Sequence, residues 1–109
     1  MMRARDITWS KTEKAIARVA FDLAYRRECE AITKGINDMI HDMANPGDIW
    51  RLHDFLSEKR EEIDEKYDYR YSVLIFVFAR LMKEGWLKAS DLDGLHEDKV
   101  ARIITLASM

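Results

Sequence analysis

A chain of 109 residues with a formal net charge of −2 has room for one domain and lacks the basic excess by which duplex-binding proteins neutralise phosphate. Hydrophobic residues make up 48% and charged residues 35%, a balance that supports a core under a charged surface and excludes a disordered chain. One Pro and four Gly are too few for a fold built on strands and tight turns, so the composition predicts helices.

The start, Met1-Met2-Arg3-Ala4-Arg5-Asp6, lacks the apolar stretch of a secretory leader. The longest strongly apolar run, Val73 to Ala79, is far below the roughly 20 residues that span a bilayer. Cys29 is the one cysteine, so no intrachain disulfide can form, which fits a reducing compartment. The expectation is a cytoplasmic protein without membrane insertion.

Ser10 and Glu13 have the spacing of a capping box. They predict a long first helix from about Lys11 to Met43, ended by Asn45-Pro46-Gly47. Such a helix extends roughly 50 Å, more than a compact domain of this size covers with its own chain. At about 100° per residue, Ile16, Val19, Ala20 and Leu23 share one face. Phe21, Tyr25, Cys29, Ile32, Ile36, Ile40 and Met43 fall on nearly the opposite face. Two apolar faces need two partners. The rest of the chain supplies one, and a second copy is the simplest candidate for the other, with Ile32, Ile36, Ile40 and Met43 in the dimer interface. Later helices folding back over both faces is the alternative, and the helix length favours the dimer.

A second helix is predicted from about Ile49 to Lys66, with Asn45 or Asp48 as N-cap and Pro46 at a first helical position. Ile49, Leu52, Leu56 and Ile63 form its expected core face. Trp50, Asp54 and Ser57 project elsewhere, with His53 and Arg60 flanking. A Trp beside Asp, His and Arg resembles a protein-binding hot spot. Equally, Trp50 could fill a junction between stalk and head or pack on a dimer partner, and periodicity leaves these readings even.

Tyr67, Tyr69 and Tyr71 alternate near Arg70, a pattern of inter-helix corners. The segment Tyr71 to Phe78 has strand propensity, but no other segment could pair with it. It is therefore expected to be a central buried helix, apolar all round, running to Glu84 with Gly85 as the C′ residue. Ser90-Asp91-Leu92-Asp93 forms a second capping pattern before a last helix of about His96 to Ala107, which carries Val100, Ile103, Ile104 and Leu106. Residues of about 10–66 read as stalk and dimerisation helices and about 69–109 as a head, all within one helical domain.

Chemistry is sparse. His41, His53 and His96 lack the short spacing of a zinc site on one helix, and Cys29 has no second cysteine. No phosphate-cradling glycine loop or nucleophile elbow appears. Glu61, Glu62, Asp64 and Glu65 read as a solvated helical surface. A binding protein without metal or cofactor is expected, not an enzyme.

Trp50-Arg51-Leu52-His53-Asp54-Phe55-Leu56-Ser57-Glu58-Lys59-Arg60 is a long and specific string. Together with Glu62-Ile63-Asp64, Lys66-Tyr67-Asp68, Arg70, Ser72-Val73, Ile75-Phe76-Val77-Phe78-Ala79 and Lys83-Glu84-Gly85, it resembles the fluorescence recovery protein family. Trp9-Ser10, Glu13, Phe21, Ala24-Tyr25, Arg27-Glu28 and Asp98-Lys99 extend the resemblance over nearly the whole chain. It implies an all-α fold with a long-helix stalk and a compact helical head, in an antiparallel-type homodimer. It also implies a function that periodicity does not give. Such a protein binds the photoactivated red form of the orange carotenoid protein, mainly at its C-terminal domain, and accelerates return to the orange form. Release from the phycobilisome then ends non-photochemical quenching. The working patch implied is Trp50, His53, Asp54 and Arg60, with head contacts at Phe76 and Arg102. Location at the thylakoid would be peripheral, through the partner. A helical dimer acting on a different protein partner is the alternative. A nucleic-acid-binding regulator is disfavoured by the acidic charge balance, so no nucleic acid is expected among the partners.

Overall fold

The computed structural model describes residues 7–109. The N-terminal hexapeptide read above as lacking a leader core lies outside the described residues. Helix α1 spans Lys11–His41, α2 Asp48–Lys66, α3 Leu74–Lys83 and α4 Glu97–Ala107, with a 3₁₀ turn at Ala89–Leu92. Among the described residues the chain forms helices and no strand, as composition predicted. The radius of gyration is 16.9 Å and the long axis 56 Å, against about 13 Å for the radius of a compact chain of this length. The excess comes from α1, whose 31 residues extend about 46 Å.

The start of α1 follows the sequence closely. The Ser10 hydroxyl accepts the Glu13 N–H at 3.1 Å, and the Glu13 carboxylate accepts the Ser10 N–H at 3.0 Å. Glu13 is nonetheless more than a cap. It is buried, and its two oxygens also accept the His96 N–H at 2.9 Å and the Lys99 ammonium at 3.0 Å. The first turn of α1 is thereby tied to the first turn of α4.

Burial alone would raise the Glu13 carboxyl. The His96 and Ser10 N–H groups and the Lys99 ammonium outweigh it and hold the group down from 4.5 to about 2. A carboxyl whose folded value lies below its unfolded one stabilises the fold above the unfolded value and loses that contribution as pH falls through the folded one. The difference between 4.5 and about 2 is worth roughly 3 kcal/mol, present above pH 4.5 and fading toward pH 2. Urea unfolding of the wild type and Glu13→Gln should therefore differ by a few kcal/mol at pH 7. The gap should narrow at pH 3, and an equal gap at both values would refute the linkage.

The core gathers Leu74, Ile75, Phe78, Leu81, Leu92 and Ile103 with Trp9, Ala17, Ala20, Phe21 and Ala24. One expected stripe on α1 is corrected here. Ala20 is buried, but Val19 is 67% exposed and Ile16 and Leu23 are only half-buried. The head covers the alanine side of the helix instead. Alanines carry little weight in a hydropathy reading, yet they offer a smooth surface against which large side chains pack.

At α2 the expected cap is also corrected. Gly47 occupies the N-cap position without a side-chain bond. Asp48 turns backwards, accepting the N–H groups of Ala44 at 2.9 Å and Asn45 at 3.0 Å, and so closes the turn after α1. Helix α2 then returns along α1, with the Phe55 ring against Gly35. A Cβ at Gly35 would stand 3.4 Å from Phe55 Cζ. The predicted core face of α2 is not a core. Ile49 is 55% exposed and Leu56 41%, while Leu52 and Ile63 are half-buried. No apolar side chain between Ala24 and Leu74 is buried.

The ambiguous segment is helical from Leu74 on, but α3 is not buried all round, because Phe76 and Arg80 face outward. Its end is a Schellman motif: the Trp86 N–H donates to the Leu81 carbonyl and the Gly85 N–H to the Met82 carbonyl, with Gly85 at φ +89°. The capping pattern at Ser90 falls in the 3₁₀ turn, which Lys88 precedes as N-cap, and does not start α4. Its Asp91 is engaged by the Arg27 guanidinium at 2.7 Å and the Lys88 N–H at 2.8 Å. His96 caps α4 in its place, accepting the Asp98 N–H at 3.2 Å on Nδ1. Between them, Gly94 has φ +99°, and a Cβ there would sit 2.5 Å from Ile16 Cδ1. The backbone demands glycine, and a Cβ would also have to displace the tip of Ile16.

Candidate functional site

A surface-binding protein needs apolar groups that stay outside its own core. Helix α2 supplies them. Trp50 is 67% exposed, so the chain does not bury it at a stalk–head junction. Its ring lies 6.5 Å from that of His53, tilted by 69°. The His53 Nδ1 is 3.4 Å from an Asp54 oxygen. Nearly two turns on, the Arg60 guanidinium donates to Asp64 at 3.0 and 3.2 Å. His53, Asp54 and Arg60 all extend into solvent. The four residues of the predicted stalk patch thus share one helix: an indole with flanking charge of both signs.

Beside this patch runs a groove of about 590 Å³ between α1 and α2. Its lining includes Tyr25, Ile32, His53, Leu56, Ser57, Arg60 and Ile63. Two of the expected partner residues, His53 and Arg60, therefore stand beside Ile32 of the expected dimer set. Ile36 and Met43 are half-buried and Ile40 is 52% exposed. Met43 lies at the tip of the hairpin, in a recess shared with Asp38, Met39, Asp42, Asp48 and Arg51.

The two expected head residues form a separate patch. Phe76 is 46% exposed on α3, and the Arg102 guanidinium of α4 lies 6.0 Å from its ring centre. Arg102 also borders a pocket of about 440 Å³ with Ile7, Thr8, Ile75, His96, Asp98 and Lys99. Among the described residues no group of three His, Cys, Asp or Glu side chains is arranged to hold a metal ion, and no helix is long and apolar enough to cross a membrane.

One cluster escaped the sequence reading. The Lys66 ammonium is buried between Glu28 and Glu84. Burial alone would raise Glu84, but hydrogen bonds from Lys66 and Arg80 bring it below the usual carboxylate range. Burial and a hydrogen bond to Glu28 both push the Tyr67 hydroxyl up. A signal did exist. Lys66 follows Ile63 by three residues and Leu52 by fourteen, and Glu28 follows Ala24 by four, so both charges stand at inward-facing positions.

Residues 9–107 match the family described as the photoprotection regulator fluorescence recovery protein. The fluorescence recovery protein of Synechocystis sp. is 42% identical over the full length of both chains. The solved structure of the Fremyella diplosiphon fluorescence recovery protein is 50% identical, with a TM-score of 0.87 over 94% of this chain and all of that one. The Synechocystis structure is 44% identical with the same TM-score and the same coverage of both chains. Sequence motif, fold and full-length correspondence agree: the chain belongs to the fluorescence recovery protein family of photoprotection regulators.

Proposed function

We propose that this protein binds the photoactivated red form of the orange carotenoid protein, chiefly at its C-terminal domain, and accelerates return to the orange form. Non-photochemical quenching then ends and phycobilisome fluorescence recovers. The protein acts in the cytoplasm, reaching the thylakoid surface through its partner, and needs neither cofactor nor catalysis. The observation that carries this reading is Trp50. An indole 67% exposed on a well-formed helix, beside His53, Asp54 and Arg60, is a surface kept for another protein. Phe76 and Arg102 supply a second contact in the head. The mechanism is differential binding. A protein shifts red to orange only by stabilising the orange form, or the transition state toward it, more than the red.

The protein works as a homodimer. A two-helix hairpin with no buried apolar side chain between Ala24 and Leu74 has no core of its own, and Ile32, Ile36, Ile40 and Met43 of α1 lie with Ile49 and Leu56 of α2 on this uncovered length. A second copy of the hairpin provides the missing burial.

The deciding experiment mixes the protein with photoactivated orange carotenoid protein and follows decay of the red absorbance in darkness. Acceleration that grows with added protein and saturates is expected. Decay at the unaided rate would overturn the proposal and point to a different protein partner.

A further inference from the structure

Three buried charges stand out among the described residues, and Glu13 has its task in joining α1 to α4. The other two, Lys66 and Glu28, meet where the hairpin joins the head. Lys66 is the last residue of α2, Glu28 lies in the middle of α1, and Glu84 caps the C-terminus of α3. The Lys66 ammonium is 2.6 Å from Glu28 Oε2 and 2.6 Å from Glu84 Oε1, and its side chain is 2% exposed. The remaining oxygens are also engaged. The Tyr67 hydroxyl donates to Glu28 Oε1 at 2.8 Å, the Arg80 guanidinium to Glu84 Oε2 at 3.1 Å, and the Trp86 indole N–H to Glu84 Oε1 at 3.2 Å.

A buried ion pair adds little net stability over an apolar pair of the same shape, but it is satisfied in one arrangement only. Rotating or sliding α2 relative to α1 and α3 would part the Lys66 ammonium from Glu84 and strand it or the Glu28 carboxylate, both buried, without a partner. The apolar contacts at the joint are less demanding: Tyr67 meets Phe21 and Tyr25 edge-on, each at 5.3 Å between ring centres. The apolar core holds α1 to the head through Ala17, Ala20, Phe21 and Ala24, but it includes no side chain of α2, whose one buried residue is Lys66.

We propose that Lys66, through Glu28 and Glu84, is a positioning residue that locks α2 at one angle to α1 and the head. The Trp50 patch of α2 and the Phe76–Arg102 patch of the head then meet one partner in a fixed relation. This inference rests on the two-patch reading of the function given above. A joint locked in advance spares the complex the entropy of ordering two halves, and the second contact forms at high effective concentration.

The test uses the full chain with Cys29→Ser and spin labels at Glu58→Cys on α2 and Ala101→Cys on α4, diluted with unlabelled protein so that only distances within one chain are read. The unaltered joint and Lys66→Arg should give one narrow distance, and Lys66→Met a broadened or displaced one. In the reversion assay, Lys66→Met should raise the half-saturating protein concentration about tenfold while keeping the maximal rate, because preorganisation is lost and the contact residues are not. Lys66→Arg should restore it. If Lys66→Met does not fold, Glu84→Gln carries the test, with broadening in the same direction and a smaller loss of affinity. An unchanged narrow distance in a folded variant overturns the proposal, as does a broadened distance with unchanged half-saturation. The distances are read without partner. Failure of the wild type to accelerate reversion would thus sink the functional reading separately, while the distances still decide the joint.

Discussion

Trp50→Ala is expected to weaken binding of the photoactivated orange carotenoid protein by about 2 kcal/mol or more, a factor of roughly 30 in affinity. Acceleration at a fixed low protein concentration should fall accordingly. The argument has two parts. An aromatic anchor loses most of its energy on truncation when its bound state is desolvated, and a Trp flanked by charge is the residue type most often found in that role. Within one chain the same indole is 67% exposed, so its removal leaves no cavity in that chain's own fold. Surface substitutions of this kind usually change stability by less than about 0.5 kcal/mol. The variant should therefore melt with the wild type while losing the partner. Retained acceleration by the folded variant would remove the anchor and, with it, the stalk patch as the main contact. His53 and Asp54 should give smaller losses that shrink with added salt, since exposed charges are screened.

Ile36→Glu should turn the proposed dimer into a monomer. Light scattering is expected to report 12.9 kDa for the variant and twice that mass for the wild type at the same concentration. Ile36 belongs to the α1 stripe with Ile32 and Ile40, on the length of chain where no apolar side chain is buried. Putting a carboxylate there on both copies of a two-fold interface buries two unpaired charges, each costing several kcal/mol. In the isolated chain Ile36 is only half-buried, so the head should keep its helical signal even as the hairpin frays. An unchanged mass would take this stripe out of the interface and leave the hairpin's exposed isoleucines to another partner.

The sequence by itself determined the local grammar of this protein. The capping box at Ser10 and Glu13, the breaker at Asn45-Pro46-Gly47 and the Schellman glycine at Gly85 placed helix boundaries within a few residues, because each acts through hydrogen bonds spanning three to five positions. The Trp50–Arg60 string carried the family. It also placed Trp50, His53, Asp54 and Arg60 on one helix.

Only the tertiary structure decided what is inside. Periodicity tells which residues share a face of α1, yet the face that becomes covered depends on helices more than forty residues away, and those chose the alanine side over Val19. Phe76 turned outward from an otherwise buried helix for the same reason, since α4 lies against one side of α3 only. Asp48 and Asp91 read as ordinary cap residues, but one closed a turn behind it and the other was taken by Arg27, 64 positions distant. The buried charges make the point most sharply. Lys66, Glu28 and Glu84 are unremarked polar residues in a chain that is 35% charged. They become a joint only when helices 18 and 38 residues apart in sequence bring Glu84, at the surface, and Glu28, inside, onto one buried ammonium, where an unpaired charge is too costly to persist and a paired one allows a single geometry.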